Sequence, residues 1–459
     1  MKILILNHRG DIVTGGVEQW LLRLAKCTTQ YGIELYVALP EHGIIEDALM
    51  EIGIPVKVVE IAWQPRTIKG SSLYLQGLQA RAQALANWIA SEKIDLVHTN
   101  TLNLFEGALA AMHAGRPHVW HVRSTYDQDP EPYAFGGLNL PLATQTRLLD
   151  WMSDGILSVS TAAARAFIQY GLTVHVKYNG IDSEAYQALA ANYPDSDIRR
   201  ELGLASGIPL VANISRISPE KDLPTYVEAC HLIHKSLPEA HFLVAGNCNE
   251  HALSTTQVRG RISQLGMERH MHLLGERQDL PALYPQLNLV MLTSLHEGLS
   301  NVLTEAMACG VPIVATRCGG PEILIEDGRD GLLSEVGDAH GLAQAAIRCL
   351  TDRDFSARLA DAGRHRITQD FSQSRSFSNL AQYYASVCAD FELVDQTRRR
   401  TVTDTLLTLA RLHADLYLRM DAQERAIFET RNQVERIPAL FKPGRMRDLL
   451  CNLLRLDRK

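Results

Sequence analysis

The sequence lacks long apolar runs, closely paired cysteines and a large excess of charge of either sign. No stretch approaches the 18 consecutive apolar residues that a membrane span needs, and the first apolar run, residues 3–6, is too short for a signal peptide. A formal charge of -7 gives the whole molecule no attraction to nucleic acid. We therefore expect a soluble protein that is at most attached to a membrane surface.

The eight cysteines stand singly, and no Cys-x-x-Cys pair occurs. This spacing argues against a zinc site or a disulfide framework and predicts the reduced thiols of a cytoplasmic protein. The loop after the first predicted strand, Thr14-Gly15-Gly16-Val17-Glu18, is not Gly-x-Gly-x-x-Gly, which disfavours a dehydrogenase. Gly15 and Gly16, before a helix predicted at 19–28, would still let backbone amides approach a phosphate or a sugar; a plain tight turn is the alternative.

Short β-rich runs alternate with longer helical stretches, a pattern typical of parallel, doubly wound sheets. A chain of 459 residues, 46% of them hydrophobic, can bury two cores. The sequence thus predicts an α/β protein with two Rossmann-like domains facing across a cleft, where ligands would bind at the carboxyl ends of the strands. The predicted strands are residues 3–7, 34–39, 56–61, 95–100, 118–123, 155–160 and 174–179, then 210–214, 241–245, 272–274, 289–293, 312–316 and 331–333.

The polar stretch 186–207 divides the two sets of strands. We predict an N-terminal domain at 1–190, a second domain at 191–365, a helical segment at 366–390 that returns to the first domain, and a helical extension at 391–459.

The extension carries a heptad seam, which predicts a coiled coil or helical hairpin and hence a homo-oligomer. Its end, residues 440–459, has six Lys or Arg and two Asp, so it could lie peripherally on an anionic membrane; packing on its own domain or on a partner subunit is the alternative. The seam residues are Val402, Leu406, Leu409, His413, Leu416, Met420, Gln423, Ile427 and Val434.

Two carboxylates flank the start of a helix predicted at 301–309. Glu297 lies in the preceding loop, and Glu305 lies within the helix, eight residues further along. The first amides of such a helix, near Leu299, Ser300 and Asn301, can hold an anion. Carboxylates accept hydrogen bonds from sugar and ribose hydroxyls, so this segment could bracket a sugar joined to a ribose through a diphosphate.

Three further side chains follow predicted strands. Arg216 and Lys221 come after the strand at 210–214 and form a cation pair that suits a diphosphate. His121 stands at the end of the strand at 118–123, facing the predicted cleft. Each of these residues alone is more often structural or solvated, and only their combination indicates a site.

These residues resemble the retaining GT-B glycosyltransferases of glycosyltransferase family 4. The resemblance covers residues 1–388 and is most specific between Arg216 and Gly331. It rests there on the Glu297-x7-Glu305 pair, on Arg216 with Lys221, and on the segments 274–280 and 318–322. The first half matches through Gly15-Gly16, His121 and residues 179–182.

The resemblance implies a role for each position. Glu297 would contact the donor sugar, Glu305 would hold the ribose hydroxyls, and Arg277 would lie beside the nucleobase. Arg216 and Lys221, with the amides of residues 299–301 and the loop at Gly15 and Gly16, would neutralise the diphosphate. His121 would sit near the reacting sugar.

The resemblance also implies no essential metal and no cofactor besides a UDP or GDP sugar as donor. Three Asp-x-Asp triplets, at 127/129, 195/197 and 352/354, look like turn and helix-cap residues instead of metal ligands. We expect a retaining, metal-independent glycosyltransferase that acts on a glycan or lipid-linked acceptor in cell-surface polysaccharide synthesis, at the inner face of the plasma membrane or free in the cytoplasm. A weakly catalytic GT-B-like scaffold and a nucleotide-sugar epimerase are the alternatives.

Overall fold

The structure, a computed structural model, describes residues 1–11, 15–59, 68–102, 104–125, 134–135, 138–139, 142–247 and 253–391. The predicted heptad seam and basic end lie outside these residues, as do the Asp127/Asp129 triplet and most of the loop after residue 125. The coiled coil, the membrane contact and the oligomer stay predictions.

Fifteen strands lie in the described part of the chain. They are β1 Lys2–Leu6, β2 Glu34–Leu39, β3 Val56–Val58, β4 Leu96–Thr99, β5 His118–Val122, β6 Ala134–Phe135, β7 Leu138–Asn139, β8 Gly155–Ser158, β9 His175–Val176, β10 Leu210–Ile214, β11 His241–Ala245, β12 Met271–Gly275, β13 Leu289–Leu292, β14 Ile313–Thr316 and β15 Leu332–Ser334.

Sixteen α-helices accompany these strands in the same described residues. They are α1 Gly16–Ala25, α2 Ile44–Glu51, α3 Ile68–Glu92, α4 Glu106–Ala114, α5 Leu142–Met152, α6 Thr161–Ile168, α7 Ser183–Ala188, α8 Ile198–Glu201, α9 Leu223–Ser236, α10 Leu253–Gln264, α11 Leu280–Leu283, α12 Asn301–Ala308, α13 Pro321–Leu324, α14 Ala339–Thr351, α15 Arg353–Asp370 and α16 Gln373–Ala389. Short 3-10 turns lie at Thr28–Tyr31, Leu189–Asn192, Pro219–Lys221 and Tyr284–Gln286.

The strands form two separate parallel sheets and one small antiparallel ribbon. The first sheet has the order β3-β2-β1-β4-β5-β8-β9, the second has the order β12-β11-β10-β13-β14-β15, and β6 pairs with β7. Central strands such as β10 are buried along their whole length, because helices cover both faces of a parallel sheet. The predicted pair of Rossmann-like domains is therefore confirmed. None of the helices described here combines the length and apolar character needed to cross a bilayer.

The chain divides into two compact units. Of the described residues, the first unit contains those within Met1–Ser158, within Ala164–His175 and from Leu380 to Phe391, and the second contains those within Val159–Ala163 and Val176–Asn379. The change of unit lies between residues 175 and 176, before the predicted boundary at 190. The reason is that α7 is tied to the second unit: Tyr186 donates a hydrogen bond to Glu305 at 3.1 Å, and Gln187 donates one to the carbonyl of Ala308 at 2.5 Å.

The C-terminal return to the first unit starts later than the predicted residue 366. Helix α15 stays with the second unit, where Arg366 donates a hydrogen bond to the carbonyl of Ile323 at 3.1 Å. Helix α16 enters the first unit at Leu380, and there the ring of Tyr383 lies 4.7 Å from that of His175. The fully buried Tyr384 is part of the first core.

Helix α1 starts at Gly16, three residues before the predicted start at Gln19. The prediction was wrong because it treated the two glycines as a loop. Gly15 occupies the N-cap position in extended conformation, and Gly16 is tolerated in the first turn. The helix then ends at Ala25, and a 3-10 turn follows at Thr28–Tyr31 in place of the predicted last residues.

The hydroxyl of Tyr226 provides a test of how α9 is attached to the second sheet. It lies 2.9 Å from the carbonyl oxygen of Val211 on β10 and 3.0 Å from that of Leu243 on β11, and the side chain is fully buried. Tyr226→Phe should lower the free energy of unfolding in urea by about 1–2 kcal/mol, because the one proton that the hydroxyl shares between these two buried carbonyls is lost. Tyr170→Phe, at a half-exposed tyrosine, is the control and should change it by less than about 0.5 kcal/mol. If the two substitutions changed the free energy of unfolding equally, the Tyr226 hydroxyl would contribute nothing specific to stability.

Candidate functional site

The loop between β13 and α12 holds Glu297 in a fixed place. Its backbone amide donates to the carbonyl of Cys318 at 3.0 Å, and Glu297 pairs with Gly319 in an isolated parallel bridge. Gly319 has φ +103°, and a side chain at Gly320 would come within 3.0 Å of the Glu297 Cβ. The two glycines after β14 are therefore required for the close approach of the two loops.

Glu297 forms an ion pair with Lys221. The Lys221 Nζ lies 2.6 Å from the Glu297 Oε1, which also accepts a hydrogen bond from the Ser294 hydroxyl at 2.9 Å. The two side chains are only 18% and 14% exposed, so solvent screens their attraction little. Lys221 and Glu297, which sequence reasoning assigned to different parts of one ligand, are thus direct neighbours.

Hydrogen bonds to backbone carbonyls join the two loops that carry Lys221 and Glu297. The Thr293 hydroxyl donates to the carbonyl of Lys221 at 2.9 Å, and the Leu295 amide donates to the carbonyl of Glu220 at 2.9 Å. Asp222, next to Lys221, has φ +43°, one of two positive φ values among the described non-glycine residues. The left-handed conformation costs such a residue about 1–2 kcal/mol, so surrounding contacts must hold this turn.

Arg216 points to a different partner. Its Nη2 lies 2.8 Å from the Glu220 Oε1, and its side chain is 65% exposed. The predicted cation pair therefore consists of the exposed guanidinium of Arg216 and the largely buried ammonium of Lys221. Both residues lie between β10 and α9, as the sequence predicted.

Helix α12 starts beside Glu297. Ser300 is its N-cap residue, and the Ser300 hydroxyl accepts a hydrogen bond from the Leu303 amide at 3.4 Å. Leu299 and Ser300 are buried, and Asn301 is the first helical residue, so the helix starts where it was predicted to start. It ends at Ala308, with Cys309 as C-cap and Gly310 at φ +69°.

Two tyrosines hold the carboxylate of Glu305. Tyr186 of α7 and Tyr284 each donate a hydrogen bond to its Oε2 at 3.1 Å. Burial, and then the negative charge of Glu305, raises the pKa of Tyr284 well above its ordinary value, so this hydroxyl stays a donor. Sequence reasoning missed both tyrosines, since Tyr186 lay in the stretch assigned to a linker and Tyr284 in no motif.

Arg277 is held by two carboxylates. It donates to both oxygens of Asp279, at 2.8 and 2.7 Å, and to both oxygens of Glu201, each at 2.8 Å. The hydrogen bonds with Asp279, and then those with Glu201, raise the pKa of Arg277 above its ordinary value. It borders a cavity of about 520 Å³ in the second unit, whose other lining residues are Asn192, Tyr193, Pro194, Asp195, Ser196, Asp197, Arg200, Glu201 and Asp279.

In the first unit, Gly15 is packed against Glu18. A Cβ at Gly15 would lie 2.0 Å from the Glu18 Oε2, so no side chain fits while Glu18 keeps this position. Glu18 is buried, and this burial raises the pKa of its carboxyl. The amides at the start of α1 therefore lie beside a buried acid, and this loop is more constrained than a plain tight turn.

His121 is buried on β5, and its Nδ1 lies 3.2 Å from the Nε2 of His98 on β4. Burial, and then the charge of Arg123, lowers the pKa of His121 well below its ordinary value, so the imidazole is neutral. Sequence reasoning missed His98, because a histidine inside a strand has no motif around it.

The Asp-x-Asp triplets inside the described ranges include helix caps. Asp197 accepts a hydrogen bond from the amide of Arg200 at the start of α8, and Asp352 accepts one from the amide of Phe355 at the start of α15. Among the described residues, no group of three or more His, Cys, Asp or Glu has an arrangement that could hold a metal ion. The nearby Cys318 is a neutral thiol, because burial, followed by the charge of Glu297, raises its pKa to about 12.

In the second unit, the segment 297–305 thus carries two fixed carboxylates and a helix start, Lys221 is ion-paired with the first of these carboxylates, and Arg216 lies between the same two elements as Lys221. Such a set can bind an anionic group at the helix start and the cations, and hydroxyl groups at the carboxylates.

The chain matches two protein-family models in succession. Residues 14–185 match the model described as Glycosyltransferase Family 4, and residues 208–352 match the model described as Glycosyl transferases group 1. The second match lies within the second unit and contains every predicted site residue of that unit.

Relatives of known activity match over much of the chain. The alpha-maltose-1-phosphate synthase of Mycolicibacterium smegmatis is 26% identical over 396 residues, covering 80% of this chain and 100% of the relative. The lipopolysaccharide core biosynthesis mannosyltransferase LpsB of Rhizobium meliloti is 25% identical over 289 residues, covering 60% of this chain and 81% of the relative.

A solved structure of HepE from Anabaena, in complex with UDP-glucose, is similar with a TM-score of 0.69 at 27% identity, covering 84% of this chain and 100% of that one. The fold class predicted from the sequence is confirmed by this likeness.

The Lys221–Glu297 ion pair can be tested by a double-mutant cycle of Lys221→Met and Glu297→Gln. The two changes should interact with a coupling free energy of about 1–3 kcal/mol in urea unfolding, because each single change leaves a partly buried polar group without its partner. The control is Arg329 with Glu326, whose side chains are 69% and 53% exposed; their cycle should give less than about 0.5 kcal/mol. A coupling at Lys221–Glu297 no larger than the control would contradict the geometry.

Proposed function

The chain belongs to the family 4 glycosyltransferases, and on that premise we propose that it is a retaining, metal-independent enzyme that transfers a sugar from a UDP or GDP sugar to a glycan or lipid-linked acceptor. The observation that carries this proposal is the Lys221–Glu297 ion pair beside the start of α12, with Glu305 further along the same helix. UDP is the favoured nucleotide, because HepE of Anabaena is similar over its whole length and was solved with UDP-glucose.

The proposed roles follow the chemistry of each group. Glu297 accepts hydrogen bonds from hydroxyls of the donor sugar, and Glu305, held by its two tyrosines, accepts those of the ribose. The amides of residues 299–301 face the diphosphate, with the loop at Gly15 and Gly16 as a further amide source. Arg277 already donates to the carboxylates of Glu201 and Asp279. We therefore propose that it holds together the two segments that carry these residues and so forms the base-binding region.

In the proposed transfer, the acceptor hydroxyl oxygen bonds to the anomeric carbon on the face that the diphosphate leaves. The bond from that carbon to the diphosphate oxygen breaks with its electron pair, and the acceptor proton passes to the departing phosphate oxygen. Lys221 and Arg216 stabilise the growing negative charge, which explains how the reaction can proceed without a divalent metal. An ammonium has three donors and Glu297 takes one, so Lys221 can serve both groups. His121 assists at the reacting sugar.

The acceptor is proposed as a glycan or a lipid-linked glycan in cell-surface polysaccharide synthesis. The likeness to the lipopolysaccharide core mannosyltransferase LpsB favours this class. A scaffold with weak catalysis is disfavoured because Glu297, Glu305 and Lys221 are held in place by specific hydrogen bonds.

A donor screen tests the function. The purified chain is incubated with UDP, GDP or ADP sugars and a panel of glycan and lipid-linked acceptors, and nucleotide release is measured with and without acceptor. We expect acceptor-dependent release from a UDP sugar, and NMR of the product should show the anomeric configuration of the donor. The rate should be unchanged in a chelator. An inverted product, or a rate that a chelator abolishes and Mn²⁺ restores, would refute the proposed mechanism, and conversion of the donor without acceptor would indicate an epimerase.

The two cations can be tested separately by calorimetry with UDP. Arg216→Ala and Lys221→Ala should each weaken binding by about ten- to a hundredfold, since each removes a charge-assisted hydrogen bond worth about 1.5–3 kcal/mol. The loss should be larger for Lys221, which is less exposed than Arg216. The controls are Arg358→Ala and Lys235→Ala, at exposed residues of the same unit, and these should bind UDP like the unmodified chain. Unchanged affinity in both site variants would remove these residues from the diphosphate site.

A further inference from the structure

Three polar rings stand in a row inside the first unit. His121 of β5 and His98 of β4 are joined by a contact of 3.2 Å between His121 Nδ1 and His98 Nε2. The other nitrogen of His98, Nδ1, is hydrogen-bonded to the hydroxyl of Tyr384 on α16. All three side chains are at most 1% exposed. Two strands of the N-terminal sheet and a helix from the C-terminal end of the described chain thus contribute to one hydrogen-bonded row.

One direction of hydrogen bonding along the row leaves fewer buried groups without a partner. A neutral imidazole has one donor and one acceptor nitrogen. Burial, and then Arg123, lowers the pKa of both His98 and His121 well below its ordinary value, so both rings are neutral. If the Tyr384 hydroxyl donates to His98 Nδ1, then His98 Nε2–H donates to His121 Nδ1, and the proton of His121 stands on Nε2. In the reverse direction two buried groups would lack a partner among the described residues, the Tyr384 proton and the His121 Nε2 lone pair, whereas the first direction leaves only the His121 Nε2–H. The first direction is therefore less costly.

The end of the row is a buried donor. His121 Nε2 is buried from solvent, and it has no hydrogen-bond partner among the described residues. The ring is held by its neighbours: Trp20 packs edge-on against it at 5.6 Å, and the Arg123 guanidinium lies 4.1 Å above the Trp20 ring. A fixed, buried N–H of this kind is suited to bind an oxygen atom of a ligand.

We propose that Tyr384 and His98 are positioning residues that fix His121 as an Nε2–H donor, and that this donor binds a hydroxyl oxygen of the sugar being transferred. The inference rests on the proposed function for the identity of the ligand, and on the three rings alone for the direction of the row. It gives the return of α16 to the first unit a role in catalysis, because the helix supplies the hydroxyl that sets the tautomer of His121.

The tautomer can be measured directly. The full chain is labelled with ¹⁵N-histidine, and the signals of His121 and His98 are assigned by His121→Gln and His98→Gln. We expect His121 to carry its proton on Nε2 in the unmodified protein. In Tyr384→Phe, which keeps the ring and removes the hydroxyl, His98 loses its donor, and both histidines should show a mixture of tautomers. The kcat of transfer should fall by the factor by which the Nε2-protonated share of His121 falls, about twofold for an even mixture and about tenfold if one tenth remains, with the KM for the donor changed by less than about threefold.

The matched control is Tyr383→Phe. Tyr383 is adjacent on the same helix and nearly buried, but its ring packs on His175. This variant should keep the tautomer of His121 and the rate. UDP affinity, measured by calorimetry, should be normal in both variants, because the proposed diphosphate residues of the second unit are untouched. A loss of UDP binding would reveal general misfolding. In that case His98→Gln, whose amide can both accept and donate, would replace Tyr384→Phe and should retain more activity than His98→Leu.

Two results would overturn the inference: a His121 protonated on Nδ1 in the unmodified protein, or a tautomer that Tyr384→Phe leaves unchanged. The proposed function fails separately, if no donor and acceptor give transfer, and the tautomer measurement still decides the row in that case.

Discussion

A parallel sheet must be covered on both faces, and this constraint decides where most of the predicted site residues of the second unit lie. Helices on both sides leave only the ends of the strands open, so polar groups collect in the loops after those ends. Arg216 and Lys221 follow β10, Arg277 follows β12, and Glu297 follows β13. The central strands β10 and β13 of the second unit are buried along their whole length, so most of their side chains are apolar. The chemistry of the site is therefore a consequence of how the sheet is buried.

Loops at strand ends would be too variable to hold a precise site without further contacts, and the Lys221–Glu297 ion pair is the central contact here. It acts together with the hydrogen bonds from Thr293 and Leu295, which join the backbone of one loop to the other. The left-handed turn at Asp222 is held by the same contacts. Together these contacts fix the two loops relative to each other. A ligand that binds there meets groups already in place, which lowers the entropy lost on binding.

The sequence predicts the elements that depend on local pattern. The strands 34–39, 210–214 and 241–245 have the predicted bounds, and α12 starts at Asn301 as predicted, where the structure shows Ser300 as its cap. Side-chain partners that are distant along the chain could not be predicted. Tyr186 reaches Glu305 across 119 positions and Tyr384 reaches His98 across 286, and no periodicity connects such pairs. The unit boundary was misplaced for the same reason, since hydrogen bonds from α7 to α12 assign that stretch to the second unit.

In the first unit, the burial of a polar residue indicates a functional role that the surrounding sequence does not indicate. A protein excludes unsatisfied donors from its interior, so a buried histidine nitrogen without a partner in the described chain requires an explanation. The direction of the row from Tyr384 to His121 is preferred because it leaves one buried group without a partner among the described residues, and the reverse direction leaves two. It also accounts for the position of α16, whose last turns contribute fully buried aromatic surface to the N-terminal sheet. Because the hydroxyl of Tyr384 reaches His98 only when this helix is docked, the C-terminal end of the described chain and the state of His121 are physically coupled.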